Sequence, residues 1–296
     1  MSKFNKKILI VGGSGGIGVK FTEFFLKKNI PIISTHNKNK DVTKGTIFLD
    51  ITKQEETIKT ITAINPDIVI HLSALTNVDL CETNKKLAYK INVEGTVNVI
   101  KSCEKNQSKL IYISSSFVFD GTKQEFYEED KPNPINYYGK TKYTAEEKIR
   151  ESDLDFLILR TDQPYCWIKP GQKINSVIRM LNALRKNEEI TEITDWYNNP
   201  TYVPEFVDVT YQLINTKNSG IFHLVGSDYV NRFEWAKIVA KQFAINTDLV
   251  KPISAKSLKL PAKRGNVNLN NRKIFNKIGH HMMGVDEGII KMKNEL

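Results

Sequence analysis

Tyr138 and Lys142 stand four residues apart in the run Asn136-Tyr-Tyr-Gly-Lys-Thr-Lys-Tyr-Thr-Ala-Glu146. On a helix that spacing puts both side chains on one face. A free tyrosine, with a pKa of ~10, is a poor acid or base at neutral pH, but a neighbouring ammonium favours the phenolate and lowers that value. Tyr137 is a rival, yet only Tyr138 stands in the four-residue register with Lys142. Upstream, an apolar run ends in Ser114-Ser115-Ser116, where a hydroxyl can hydrogen-bond a substrate carbonyl and orient it. A hydroxyl, a phenol and an ammonium in that order form a set that can orient a carbonyl and move a proton at it.

A second cluster lies near the start. Gly12-Gly-Ser14-Gly15-Gly16-Ile17-Gly18 follows the apolar stretch 7–12 and precedes a helical pattern through Phe21, Phe24, Phe25 and Leu26. There the backbone must turn tightly and approach a pyrophosphate, whose charge rests on the amides of the helix N-terminus. Two other motifs share the spacing and fail. A P-loop needs lysine where this chain has Val19, and a nucleophile elbow needs an oxyanion loop before it, where nothing precedes. A dinucleotide cofactor is therefore expected. About 20 residues past the first glycine, an NAD enzyme presents a carboxylate to the ribose. Here Ser34-Thr-His36-Asn37-Lys38-Asn-Lys40 has none before Asp41. His36, Asn37, Lys38 and Lys40 are instead candidates for a 2′-phosphate, so NADP(H) is favoured, NAD(H) stays open, and an ordinary basic loop is the plainer alternative. Asp50 and Ile51 suit the adenine edge, unless Asp50 only caps a helix. Leu72, Ser73 and Ala74 follow a strand ending in His71, where small residues admit the cofactor ribose; a merely buried His71 is the rival reading.

These groups need a scaffold. Short apolar runs at 7–12, 31–35, 46–50, 67–71, 109–114 and 155–160 alternate with amphipathic stretches, the pattern of an α/β, Rossmann-type doubly wound parallel sheet. The rhythm breaks after Arg160 among Pro164, Pro170, Gly171, Pro200 and Pro204, with a helical segment near 174–187. Residues 1–160 are thus expected to form the cofactor-binding domain and 161–296 mainly a smaller substrate-binding lobe, with a strand near 220–226 returning to the sheet.

Composition narrows the function classes. The net charge of +10 is spread over the chain without a basic arm or a basic-aromatic stripe, so no nucleic-acid partner is expected. Cys81, Cys103 and Cys166 lie too far apart in sequence for a zinc spacing or a redox pair. No metal is expected. No apolar run is long enough to span a bilayer or to serve as a secretory core, which points to the cytoplasm and away from membranes. A homodimer is compatible with all of this.

In this order, the glycine loop, serine strand end and Tyr/Lys helix resemble the extended short-chain dehydrogenases, and most closely the dTDP-4-dehydrorhamnose reductase family. Ser114-Ser-Ser-Phe-Val-Phe-Asp-Gly121 is similar to its S-T-D-Y-V-F-D-G, which places the catalytic hydroxyl at Ser115. Ser73-Ala-Leu-Thr-Asn-Val-Asp79, Ile91-Asn-Val-Glu-Gly-Thr96 and Asn199-Pro-Thr-Tyr-Val203 match further family segments. Ser116 and Phe117 depart from the family's Asp and Tyr, and Asp162-Gln163-Pro-Tyr-Cys-Trp departs from S-W-V-Y-G after Arg160-Thr161. The resemblance implies NADPH-dependent reduction of a 4-keto-6-deoxy sugar on a nucleoside diphosphate, with Ser115, Tyr138 and Lys142 catalytic and Asn92 supporting them beside the cofactor. It implies a substrate pocket that includes Thr76, Val78, Ser115, Ser116, Phe117, Asp162, Gln163 and Trp196, with Arg264 on the diphosphate. Two rivals share the fold: a nucleotide-sugar epimerase, and a non-catalytic NADP-binding regulatory subunit like that of methionine adenosyltransferase.

Overall fold

The fold, taken from a computed structural model, is described for residues 6–38 and 45–296. Lys40 and Asp41 lie outside the described residues. Strands β1 (Ile8–Val11), β2 (Ile32–His36), β3 (Ile47–Phe48), β4 (Ile68–His71), β5 (Lys109–Ser115) and β6 (Phe156–Thr161) join Gly220–His223 in one seven-stranded sheet. Every pairing is parallel, and the order across the sheet is Gly220–His223, β6, β5, β4, β1, β2, β3. Continuous apolar runs suit strands buried on both faces. Ile8, Ile10, Ile70, Ile111 and Leu159 point into one core with Phe21, Phe25 and Phe206, whereas Leu9, Val11, Val69, Tyr112 and Ile158 point into the other with Ile61 and Val99.

Helices α1 (Gly16–Lys27), α2 (Gln54–Ile64), α3 (Val78–Thr83), α4 (Lys85–Tyr89), α5 (Gly95–Asn106) and α6 (Tyr137–Arg150) lie between the strands of this first part. The strand order reverses between β1 and β4, which opens a crevice at the carboxyl ends of both strands. Ligands of open α/β sheets bind at such a point.

Beyond β6 the chain builds α7 (Ser176–Leu184), α8 (Val203–Asn215), α9 (Arg232–Gln242), α10 (Arg272–Ile278) and α11 (Val285–Lys293). α8 returns to the sheet core through Phe206, Val207 and Leu213. α7, α9 and α11 form a separate core around Met180, Leu181, Trp235, Val239 and Ile289. A short parallel ladder, Ile190–Ile193 with Val250–Ile253, edges this lobe; the proline-interrupted pattern did not foretell it. No described helix is long and apolar enough to cross a membrane.

Candidate active site

The crevice deepens into a cavity of about 900 Å³ between the sheet edge and the second lobe. Its floor is the glycine loop. Gly12 adopts φ +88°, a conformation that side chains rarely take, and an added Cβ there would come within 2.6 Å of Ser73 Oγ. At Gly18 an added Cβ would sit 2.5 Å from Gly12 O, so loop and helix touch backbone to backbone. Gly15 and Gly16 face open space, with nothing nearer than 3.5 Å and 4.0 Å to an added Cβ. Gly15 caps α1 without a side-chain bond, and no acidic residue stands in its first turn. The cradle therefore has room and no competing charge at the N-terminus of α1, which fits a dinucleotide pyrophosphate. Ile17, Leu72 and Ala74 also line the cavity. Ser14 is buried, and its carbonyl accepts a 3.0 Å bond from Gln172 of the second lobe.

Other cofactor-side candidates stand apart from this lining. His36 is buried, its Nδ1 2.7 Å from Thr46 Oγ1 and its ring packed edge-on against Phe48. Asn37 and Lys38 are exposed just past the end of β2. Asp50 Oδ1 accepts Thr52 N at 3.0 Å and Thr52 Oγ1 at 2.8 Å, and Ile51 is buried beneath Gly95. Ser73 packs behind Gly12. His71 is fully buried, and burial together with the nearby Lys142 charge pushes it down to about 3. Thr96 Oγ1 donates to Asn92 O (2.7 Å) and so accepts from His71 Nε2 (3.0 Å), which leaves Nδ1 bare.

Tyr138 and Lys142 both enter the cavity from the first turns of α6. The helix begins where it does because Asn136 Oδ1 accepts Gly139 N at 2.8 Å, and Gly139 is required because an added Cβ would meet Phe117 O at 2.0 Å. Ser115, at the end of β5, lines the cavity beside them, and its hydroxyl pulls the Tyr138 pKa down. Burial outweighs that pull and holds the phenol above its ordinary range. Tyr138 is therefore protonated at neutral pH. Lys142 Nζ donates to Ile113 O at 2.6 Å and sits 4.0 Å from the centre of the Tyr112 ring. Burial lowers it to about 7 against the opposing pull of Glu146. Lys142 does not govern the Tyr138 pKa here; desolvation of the phenol does.

Asn92 lies in a π-helical turn, Lys90–Glu94, between α4 and α5. Its Oδ1 accepts Leu75 N at 2.7 Å, and its Nδ2 donates to Leu75 O at 3.1 Å and to Thr141 Oγ1 at 3.0 Å. It thereby ties the cavity wall at Ala74–Thr76 to the helix that carries Tyr138 and Lys142.

On the substrate side, Thr76, Val78, Phe117, Asp162, Gln163, Trp196 and Arg264 all line the cavity. The Phe117 ring centre lies 5.8 Å from Tyr138 and 6.5 Å from Trp196. Ser116 is turned away from the cavity and donates to Asp162 Oδ1 at 2.9 Å; Asp162 Oδ2 accepts Asn199 N at 3.0 Å. Burial raises the Asp162 carboxyl to about 6 against those bonds. Gln163 adopts φ +39°, backbone strain of a kind found at ligand sites, and its side-chain Oε1 accepts from Arg232 and Ser176. Arg264 is paired with Asp79, Nη2 to Oδ2 at 2.8 Å. The cavity also gathers Asp79, Lys173, Arg179, Glu192 and Arg232, which sequence reasoning missed; only Asp79 stood in a recognisable segment.

The family described as RmlD substrate binding domain matches residues 6–296. The bovine (Bos taurus) methionine adenosyltransferase 2 subunit beta is 27% identical over 257 residues, covering 84% of this chain and 76% of that protein. The dTDP-4-dehydrorhamnose reductase of Aggregatibacter actinomycetemcomitans is 29% identical over 229 residues, covering 73% and 76%. A solved dTDP-4-dehydrorhamnose reductase from Bacillus anthracis, in complex with NADP, superposes with a TM-score of 0.89 at 29% identity over 98% of this chain and 99% of that one. A match that runs through the sheet, the cavity and the second lobe alike places this chain in the RmlD substrate binding domain family.

Proposed function

We propose that this chain is an NADPH-dependent reductase of a nucleotide-linked 4-keto-6-deoxy sugar. The observation that carries the reading is the convergence of Ser115, Tyr138 and Lys142 on the same cavity whose floor is the glycine cradle. NADPH, when bound, supplies the hydride. The protein's own groups do the rest. Gly12, Gly15, Gly16 and Gly18 receive the pyrophosphate, Asn37 and Lys38 are exposed where a 2′-phosphate is to be met, and Ser115 orients the carbonyl oxygen. Tyr138, protonated at neutral pH, donates to that oxygen as charge develops on it. Lys142 holds the cofactor ribose. Thr76, Val78, Phe117, Asp162, Gln163 and Trp196 shape the sugar end, and three free, buried cysteines suit a reducing cytoplasm.

The test is NADPH oxidation by the purified protein against a panel of nucleotide-linked keto-sugars. Turnover of a 4-keto-6-deoxy member is expected, and no turnover across the panel would sink the reading. The likeness to methionine adenosyltransferase 2 subunit beta favours one rival, a regulatory subunit without turnover. Co-purification with a methionine adenosyltransferase, together with silence on the panel, would establish it. A tightly retained NAD would point instead to an epimerase.

Lys142 gives the cofactor step a pH signature. Its ammonium form is the donor to ribose hydroxyls, and burial has brought its pKa down to about 7. Cofactor binding restores partners to the ammonium and so raises that pKa. NADPH affinity is therefore greatest below about pH 7 and falls as pH rises through it, and binding near pH 7.5 takes up protons. Calorimetry in buffers of different ionisation enthalpy measures the uptake; zero uptake, or affinity that rises with pH, would remove Lys142 from this role. In the same titrations NADPH should bind at least about tenfold more tightly than NADH, the scale of one charge-assisted contact. Equal affinities would remove Lys38 from the phosphate.

A further inference from the structure

Two guanidiniums flank one carboxylate in the lining of the cavity. Glu192, buried in the strand Ile190–Ile193, accepts from Arg179 Nη2 and, at 3.4 Å, from Arg232 Nε. Arg179 stands on the first turn of α7, and Arg232 is the first residue of α9. Arg232 is buried between Trp235 and Trp196, 5.3 Å and 5.9 Å from their ring centres, and its Nη1 donates to Gln163 Oε1 at 3.0 Å and Ser176 Oγ at 2.8 Å. Arg179, Glu192 and Arg232 all line the cavity.

Among the described residues only Glu192 bonds both guanidiniums; Asp162 acts on Arg232 through space but bonds neither. Arg232 is desolvated and Arg179 is half-exposed in the cavity lining, so an anion placed against the two forks is favoured. Arg264 differs. Its Nη2 bonds Asp79 at 2.8 Å, its Nη1 bonds Ala262 O at 2.8 Å, and Asp79 also accepts Ala262 N at 3.1 Å. The charge of Arg264 is answered within the protein, and the contact fastens its segment to α3 in the cavity lining.

We propose that Arg179 and Arg232, held apart by Glu192, bind the diphosphate of the substrate, and that Arg264 is a fastening rather than a phosphate ligand. The guanidinium fork matches paired phosphate oxygens. The proposal rests on the reading of the substrate as nucleotide-linked, and it moves the diphosphate contact from the residue that family analogy offered.

Calorimetric titration of the full chain, saturated with NADPH, with thymidine diphosphate and with uridine diphosphate tests it. The Arg179 side chain is 48% exposed, so Arg179→Gln should fold normally. It is expected to weaken nucleoside diphosphate binding about tenfold or more, with NADPH affinity unchanged. Arg232→Lys, which keeps the charge and loses the fork, should weaken it by several-fold. Arg264→Gln should change it less than either. Arg179→Gln that binds as the wild type does, or Arg264→Gln that loses more than Arg179→Gln, overturns the assignment while the nucleotide-sugar reading stands. A wild-type protein that binds neither diphosphate sinks both together.

Discussion

Replacing Tyr138 with phenylalanine lowers turnover by about 10²–10⁴-fold, the usual contribution of a positioned general acid. The change removes one hydroxyl and almost no volume. Cofactor affinity and the thermal transition should therefore stay close to wild type, so that kcat and kcat/KM fall together. Tyr137→Phe is the control, because Tyr137 is only half-buried and lies outside the cavity lining that Ser115, Tyr138 and Lys142 share. Steady-state kinetics on both variants decides the matter. If Tyr137→Phe is the more damaging of the two, or if Tyr138→Phe turns over like the wild type, the proton donor has been misassigned even though the dinucleotide-binding fold stands.

The largest stability effect is expected away from the reacting atoms, at the ion pair behind Lys142. Arg160 and Glu146 are nearly inaccessible to solvent and meet at 2.7 Å through Nη2, with Arg160 Nε adding bonds of 3.1 Å and 3.3 Å. Ser114 donates to the same carboxylate, and Arg160 lies 4.9 Å from the Phe119 ring centre. The pair thus joins α6, β5 and β6 at one point. Arg160→Met leaves the Glu146 carboxylate buried without its counter-ion, a loss of about 3–5 kcal/mol. The double variant Glu146→Met/Arg160→Met removes both charges and should regain most of that loss. Urea unfolding of wild type, single and double variants gives the comparison. A single variant within about 1 kcal/mol of wild type, or a double variant no more stable than the single, would show that the pair is not the tie described.

Most of the sheet could be read in advance because its strands are short apolar runs, and an apolar run buried on both faces has few other solutions. The glycine loop and the Tyr138–Lys142 pair were legible for a related reason: each is a local spacing whose chemistry depends on neighbours in sequence. Side-chain direction was less accessible. His36 ends β2 and turns inward to Thr46, so its ring is buried rather than offered to a phosphate. Asp50 carries its charge back onto the Thr52 amide and hydroxyl. Neither outcome leaves a trace in composition or periodicity.

Long-range pairings were hidden altogether. Arg264 meets Asp79 across 185 residues, and Arg232 meets Gln163 across 69. The ladder of Ile190–Ile193 with Val250–Ile253 joins two segments that give no alternating pattern of their own. Such contacts are set by how the second lobe folds over the sheet edge. A departure from a familiar segment, as at Asp162-Gln163, marks where that lobe matters, but not which partner it brings.

The π turn at Lys90–Glu94 also constrains how this chain can change. A turn that holds one residue more than its α-helical counterpart is an insertion retained inside a helix. Deletion of one residue between Lys85 and Lys90 would let the turn close as ordinary α-helix and rotate Asn92 by roughly 100° relative to α4. Core residues on α5 would survive such a deletion, while the bonds from Asn92 to Leu75 and Thr141 would not. The count of residues through this one turn is therefore fixed by the amide at its centre.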